Sequence, residues 1–223
     1  MKIGKIISLV LAILFFSGGF VQGKEWLAGP ALIAGEKSKV YRTVERRMDT
    51  SVTRVPGYDG DNLSFKKRFN ERMEKEADYF LTSLNGNQKK RRKIKWKVSG
   101  WLQWQEGKKG DFNSIVLVES VMYEKAAHPI NYVKGITLDR DGKRLTFSGL
   151  KSMMPELTLE KLKKETAKQA RKRNLPLFPN YTITEFPKEF YIGTNNHVYF
   201  IFQQYDIAPY STGWIMIDMG SLS

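Results

Sequence analysis

Cysteine is absent from the sequence, and histidine occurs only twice, as His128 and His197. Without cysteine the chain has no disulfide, thiol nucleophile, thiolate metal site or thiol redox couple, and packing alone must hold it together. With two histidines, any Ser-His-Asp constellation has to use one of them, with Ser211 or Ser120 and Asp206 or Asp139 as the other members. No Gly-x-Ser-x-Gly elbow surrounds either serine. The two histidines with Asp206 are the facial set a metal would have to use, but no short spacing such as H-E-x-x-H is present. P-loop and dinucleotide glycine motifs are missing as well, so neither a metal nor a nucleotide cofactor is expected.

Long apolar runs are scarce too. One stands out, residues 6–16, and it follows a positive segment carrying Lys2 and Lys5. Ser17-Gly18-Gly19 breaks it, and Val21-Gln22-Gly23 reads as a small-residue cleavage site. A spanning helix needs about 20 apolar residues, which favours a cleaved signal peptide over residues 1–23, with an uncleaved anchor as the alternative. The expected location is outside the cytoplasm: periplasmic, secreted or on the cell surface.

Acidic residues are in deficit. The chain carries 37 Lys and Arg against 23 Asp and Glu, a net charge of +14. The excess is uneven: residues 175–223 sum to −3, and residues 24–174 to +15. A basic body on an exported protein implies an anionic neighbour such as membrane phospholipid, wall polymer or acidic glycan, and not nucleic acid. The densest run, KKRRKIKWK at 89–97, places Lys89, Lys90, Arg91, Arg92 and Lys93 as the expected contact with an anionic polymer. Its other reading is a solvated loop leading into a strand.

What is present is strong periodicity. Residues 40–48 alternate as an edge or half-exposed strand that residues 52–55 extend or pair with, and the turn chemistry of 56–62 follows. Phe65, Phe69, Met73, Ala77, Phe80, Leu81 and Leu84 recur at helical spacing, with Asn85-Gly86-Asn87 as the expected stop. Strands are predicted at 96–104, 115–123 and 129–139, the second apolar on both faces and therefore central. Asp141-Gly142 signals a hairpin with a return strand at 144–150. A second helix spans 157–174, capped by Thr158 and stopped by Pro176. Short strands close the chain at 189–193, 198–203 and 214–220. The class is α+β: largely antiparallel sheet with two main helices, in two subdomains. The first is expected over 40–110 with one helix and the second over 111–220.

The segments AAHPINYVKGITLDRDGKRLTFSGL and FYIGTNNHVYFIFQQYDIAPYSTG resemble two signatures of one family. It comprises the extracellular domain of RsiV-type anti-sigma factors, the same unit in PdaC-type peptidoglycan deacetylases, and exported proteins of unknown function. The resemblance covers about residues 40–220, with Ala126 where the family usually has glycine. It implies a two-part α+β fold and an envelope role: the anti-sigma members bind lysozyme and the deacetylases act on wall glycan. Only five residues precede the apolar run here, so a cytoplasmic anti-sigma segment is not expected, nor is a deacetylase domain.

The expected function is a non-enzymatic binding module of the cell envelope, recognising wall glycan or a protein such as lysozyme. Its expected contacts are Tyr205, Asp206, Pro209, Tyr210 and His128. Pro209 stiffens the turn and Gly213 permits a left-handed bend, so two tyrosines are presented at low entropy cost. The competing reading packs those rings on the core, and His128 then only fixes a turn before Pro129. The rival function is a carbohydrate-modifying or hydrolytic enzyme using His128.

Overall fold

The computed structural model describes residues 40–48, 51–91, 98–108, 111–193 and 196–222. Two antiparallel-dominated sheets lie face to face, with helices on both outer sides, an α+β fold. The first sheet is built from β1 (Tyr41–Met48), β2 (Ser51–Tyr58), β3 (Val98–Lys108), β4 (Phe112–Tyr123) and β5 (Ile130–Asp139), in that spatial order. Only β2 and β3 run parallel, through Val52 opposite Trp101 and Thr53 opposite Leu102. The boundary expected at residue 110 falls between two strands of this one sheet, since β3 pairs with β4 from Val98 opposite Tyr123 to Lys108 opposite Ser114.

Helix α1 (Leu63–Arg91) covers the outer face of this sheet. Its N–H groups are capped by Asn62, whose Oδ1 accepts from the Phe65 amide at 3.0 Å. The apolar stripe Phe65, Phe69, Met73, Ala77, Phe80 and Leu84 is fully buried against Ile115, Leu117, Ile136 and Leu138. Each such side chain contributes roughly 1.5–3 kcal/mol by leaving water. The helix runs past the Asn85-Gly86-Asn87 stop expected from the sequence. Gln88, Lys89 and Lys90 are good helix formers, and one glycine in a helix costs only about 1 kcal/mol.

The second sheet comprises β6 (Glu189–Ile192), β7 (His197–Phe202) and β8 (Ile215–Ser221). Phe190, Ile192, Val198, Phe200, Ile215 and Ile217 point outward under α2 (Phe147–Met153) and α3 (Leu159–Lys172), where Leu150, Met154 and Leu162 complete a core. Tyr191, Tyr199, Ile201, Trp214 and Met216 point inward and meet Val116, Val118 and Val133 of the first sheet. Both faces of β4 are thus dry, which is why that strand is apolar at successive positions.

The hairpin turn after β5 forms as its Asp-Gly signal indicates. Asp139 Oδ1 accepts from the amides of Asp141 and Lys143, and Gly142 takes φ 77°. The return strand does not continue: Arg144 makes a single bridge with Leu138. Thr146 then caps α2, its Oγ1 accepting from the Gly149 amide at 3.2 Å, and the cap ends the ladder. Thr158 caps α3 in the same way.

The sheets meet closely at Gly135. A Cβ there would lie 1.9 Å from the Phe190 carbonyl oxygen of β6. Beside it, Ser114 Oγ accepts from the Ile192 amide at 3.0 Å and contacts Thr137 Oγ1 at 2.9 Å. The free edge of β5 is then capped by side chains. Gln203 spans Val133, accepting from its N–H and donating to its carbonyl, both at 2.9 Å. Glu189 Oε2 accepts from the Gly135 amide, and its Oε1 accepts from the Tyr132 hydroxyl. Gln204 Oε1 accepts from the Asn131 amide at 3.3 Å. An exposed strand edge is a template for association, and here it is closed from within.

Gly135→Ala is expected to lower stability by about 3 kcal/mol or more, because the clash is with backbone and cannot be relieved by a rotamer change. Urea unfolding would show it as a lower midpoint at unchanged slope; a loss under ~1 kcal/mol would contradict the crossing. A second expectation concerns alkaline pH. Burial, and then the charge of Glu189, push the Tyr132 phenol up from 10.0 to about 12. The raised value makes the neutral phenol the favoured folded form. Its stabilisation is complete below the unfolded value near 10 and is lost as pH rises toward 12. Tyr132→Phe should flatten that part of the stability profile; an unchanged slope would refute the assignment.

Candidate aromatic recognition site

The two signature segments meet at the start of β5. β7 ends at Phe202, and the chain reverses through residues 203–206, where the Asp206 carboxylate accepts from the Gln203 amide at 2.7 Å. The Asp206 amide donates to the Gln203 carbonyl at 3.2 Å. Between them Tyr205 sits at φ 70°, in the left-handed region that a bulky side chain rarely adopts. Such a conformation costs of order 1 kcal/mol and persists where its surroundings impose it. Ile207 and Ala208 are buried in the outer core and anchor the turn from below.

Pro209, at φ −59° and ψ 158°, leads into a short 3-10 turn, Tyr210–Thr212, and Gly213 closes it at φ 75°. The turn delivers Tyr210 back onto the first sheet. Its hydroxyl donates to the Pro129 carbonyl at 2.8 Å and accepts from Asn131 Nδ2 at 3.4 Å. The His128 ring stacks on the Tyr210 ring, with centroids 3.6 Å apart and planes 22° apart. Tyr205 lies against Tyr210, with ring centroids 5.9 Å apart, and is itself 58% exposed. Ile130, also 58% exposed, extends the surface along β5. The result is a ledge of His128, Tyr210 and Tyr205 edged by Gln204 and Asp206. Burial pushes the Asp206 carboxyl up from its ordinary value, opposed by the bond from the Gln203 backbone.

Tyr205, Asp206, Pro209, Tyr210 and His128 are therefore one surface, and the two readings of the tyrosines divide between them. Tyr210 is half-buried and structural; Tyr205 is presented. The histidine–carboxylate pair lies elsewhere. His128 Nδ1 is 3.2 Å from the Pro129 carbonyl, whereas His197 is the histidine next to an acid, its Nδ1 2.8 Å from Asp218. Ser120 donates to Asn131, Asp139 holds its own turn, and Asp206 holds the 203–206 reversal. None of these bonds reaches His128. Among the described residues no three His, Cys, Asp or Glu side chains converge on a common point.

The basic run begins at the end of α1. Lys89, Lys90 and Arg91 lie in the last turn of α1, while Arg92 and Lys93 fall outside the described residues. The residues that sequence reasoning missed are Asn131, Gln203 and Gln204. A Gln-Gln pair directly after an apolar strand is the one available signal, but it does not identify the backbone those amides meet.

No curated protein matches the sequence. A crystal structure of a DUF3298 family member from Bacteroides fragilis NCTC 9343 is similar over 80% of this chain and 88% of that one, at 14% identity and a TM-score of 0.48. Residues 144–219, from the end of the hairpin through α2, α3 and most of β8, match the family profile described as protein of unknown function, DUF3298.

Proposed function

We propose that this protein is an exported, non-enzymatic binding module of the cell envelope, and that the ledge of Tyr205, Tyr210 and His128 grips wall glycan. One observation carries the reading. A tyrosine is held at φ 70° with its ring turned to water, above a stacked Tyr-His pair whose hydrogen bonds fix it to the other sheet. A solvent-facing aromatic on a strained, braced turn has the character of a preorganised contact. The adjoining Gln204 and Asp206 supply the polar groups that hydroxyl-rich ligands need.

The envelope location rests on the signal segment expected at residues 1–23 and on the resemblance to RsiV-type and PdaC-type extracellular domains. No described helix is long and apolar enough to cross a membrane. The basic body, with Lys89, Lys90, Arg91, Arg92 and Lys93 at its densest, would lengthen residence on anionic wall polymer or at a membrane surface. It also disfavours a basic partner such as lysozyme. Catalysis by His128 is disfavoured because Tyr210 covers one face of its ring and its Nδ1 faces a backbone carbonyl.

The test is retention of the purified protein on insoluble peptidoglycan and on immobilised lysozyme, with soluble products measured alongside. Retention on peptidoglycan is expected, falling at least ~10-fold in Tyr205→Ala, the size expected for losing one central aromatic contact. Unchanged retention in that variant, capture by lysozyme alone, or release of products would each contradict the proposal.

A further inference from the structure

A separate cleft of about 480 Å³ opens between α1 and β5, four residues further along β5 than the ledge. Lys134 lies in its wall. Its ammonium sits 2.5 Å from Glu119 and 3.4 Å from Glu76, and all three side chains are less than one-fifth exposed. Burial disfavours the charged Lys134, and the two glutamates outweigh that and raise its pKa. Glu189, only 12% exposed, stands on the other side. Burying four charges is costly, and apolar residues of similar size would serve a packing seam as well or better. Their presence around an open cleft points to a ligand.

The groups left over define its chemistry. Glu76 is bonded by Arg72 through Oε1 and by Lys134 through Oε2. Glu189 accepts from Tyr132 and from the Gly135 amide. A carboxylate has about four acceptor positions, so both retain capacity for hydroxyl donors. At the mouth stand Lys75, which pairs with no acid among the described residues, and Arg144, which makes a long ion pair with Glu189 at 3.9 Å and donates to the Gly135 carbonyl at 3.4 Å. Tyr79 completes the opening, 66% exposed, with the Lys134 ammonium 5.1 Å from its ring centroid. Two half-satisfied or unpaired cations at the mouth, two acceptor carboxylates and one exposed aromatic side chain match a ring that bears hydroxyls and one anionic group. The volume is that of a small-molecule site, roughly 300–1,000 Å³.

We propose that this cleft binds a monosaccharide unit carrying a carboxylate, with its ring face on Tyr79, its carboxylate on Lys75 and Arg144, and its hydroxyls on Glu76 and Glu189. This goes beyond the aromatic ledge and does not rest on it.

Titration of the intact protein with sodium glucuronate, glucose and inorganic phosphate, followed by calorimetry or amide chemical shifts, tests it. Glucuronate is expected to saturate the cleft with a Kd of about millimolar, and glucose and phosphate to bind at least ~10-fold more weakly. Lys75→Glu and Tyr79→Ala should each weaken glucuronate ~10-fold or more, Tyr79→Phe should retain it, and Tyr205→Ala should leave it unchanged. Lys75 and Tyr79 are exposed helix positions, so thermal melts of the variants should match the parent. No saturation by ~100 mM glucuronate, or equal affinity for glucose or phosphate, overturns the proposal. So does binding that survives both cleft substitutions or fails in Tyr205→Ala.

Discussion

Everything in this fold hangs on the place where β6 crosses β5. Gly135 leaves room for the Phe190 carbonyl at a distance no side chain would permit. That approach lets Glu189 reach the Gly135 amide and the Ser114 hydroxyl reach the Ile192 amide. Polar contacts in so dry a seam tolerate no sliding, because any shift would strand buried donors at a cost of about 1–3 kcal/mol each. The apolar interleaving of Val116, Val118 and Val133 with Tyr191, Tyr199 and Ile201 supplies the bulk attraction, and the hydrogen bonds set its register.

The same crossing places the two candidate surfaces. An edge strand lacking a partner would expose its amides, yet β5 is closed by Gln203, Gln204 and Glu189 from the second sheet. Because Gln203 and Gln204 directly precede Tyr205, closing the edge also fixes the turn. Tyr210 is then brought to Pro129 and His128, 81 residues away from Pro129 in the chain. One end of β5 thus carries the aromatic ledge. Further along, Lys134, Glu76 and Glu189 line the charged cleft beneath α1. Edge protection and the placing of both candidate surfaces are two results of one packing event.

Much of this was legible in the residues. The stripe of α1, the Thr158 cap and the two-faced apolar run of β4 are local patterns whose period dictates burial. His128 and Tyr210 could each be singled out, from their neighbours Pro129 and Pro209, but their stacking is a tertiary fact. Less local features escaped. The parallel pairing of β2 with β3 depends on a long connection and leaves no short-range mark. Thr146 reads as a strand residue until its side chain is seen capping α2. Gly135 looks like an ordinary weak point in a strand, and only the carbonyl above it explains the missing side chain. Glu76 and Lys75 read as a solvated helix face, because nothing in the sequence shows that Lys134 and Glu189 lie opposite.

Native-state hydrogen exchange at the free edge of β5 tests the central claim most directly. The Val133 and Gly135 amides, bonded only to side chains of the second sheet, should exchange as slowly as the amides paired between β4 and β5. Gln203→Ala should release Val133 selectively and erase the ring contact between His128 and Tyr210. Fast exchange of both amides in the unmodified protein, or a His128–Tyr210 contact indifferent to Gln203, would contradict the account.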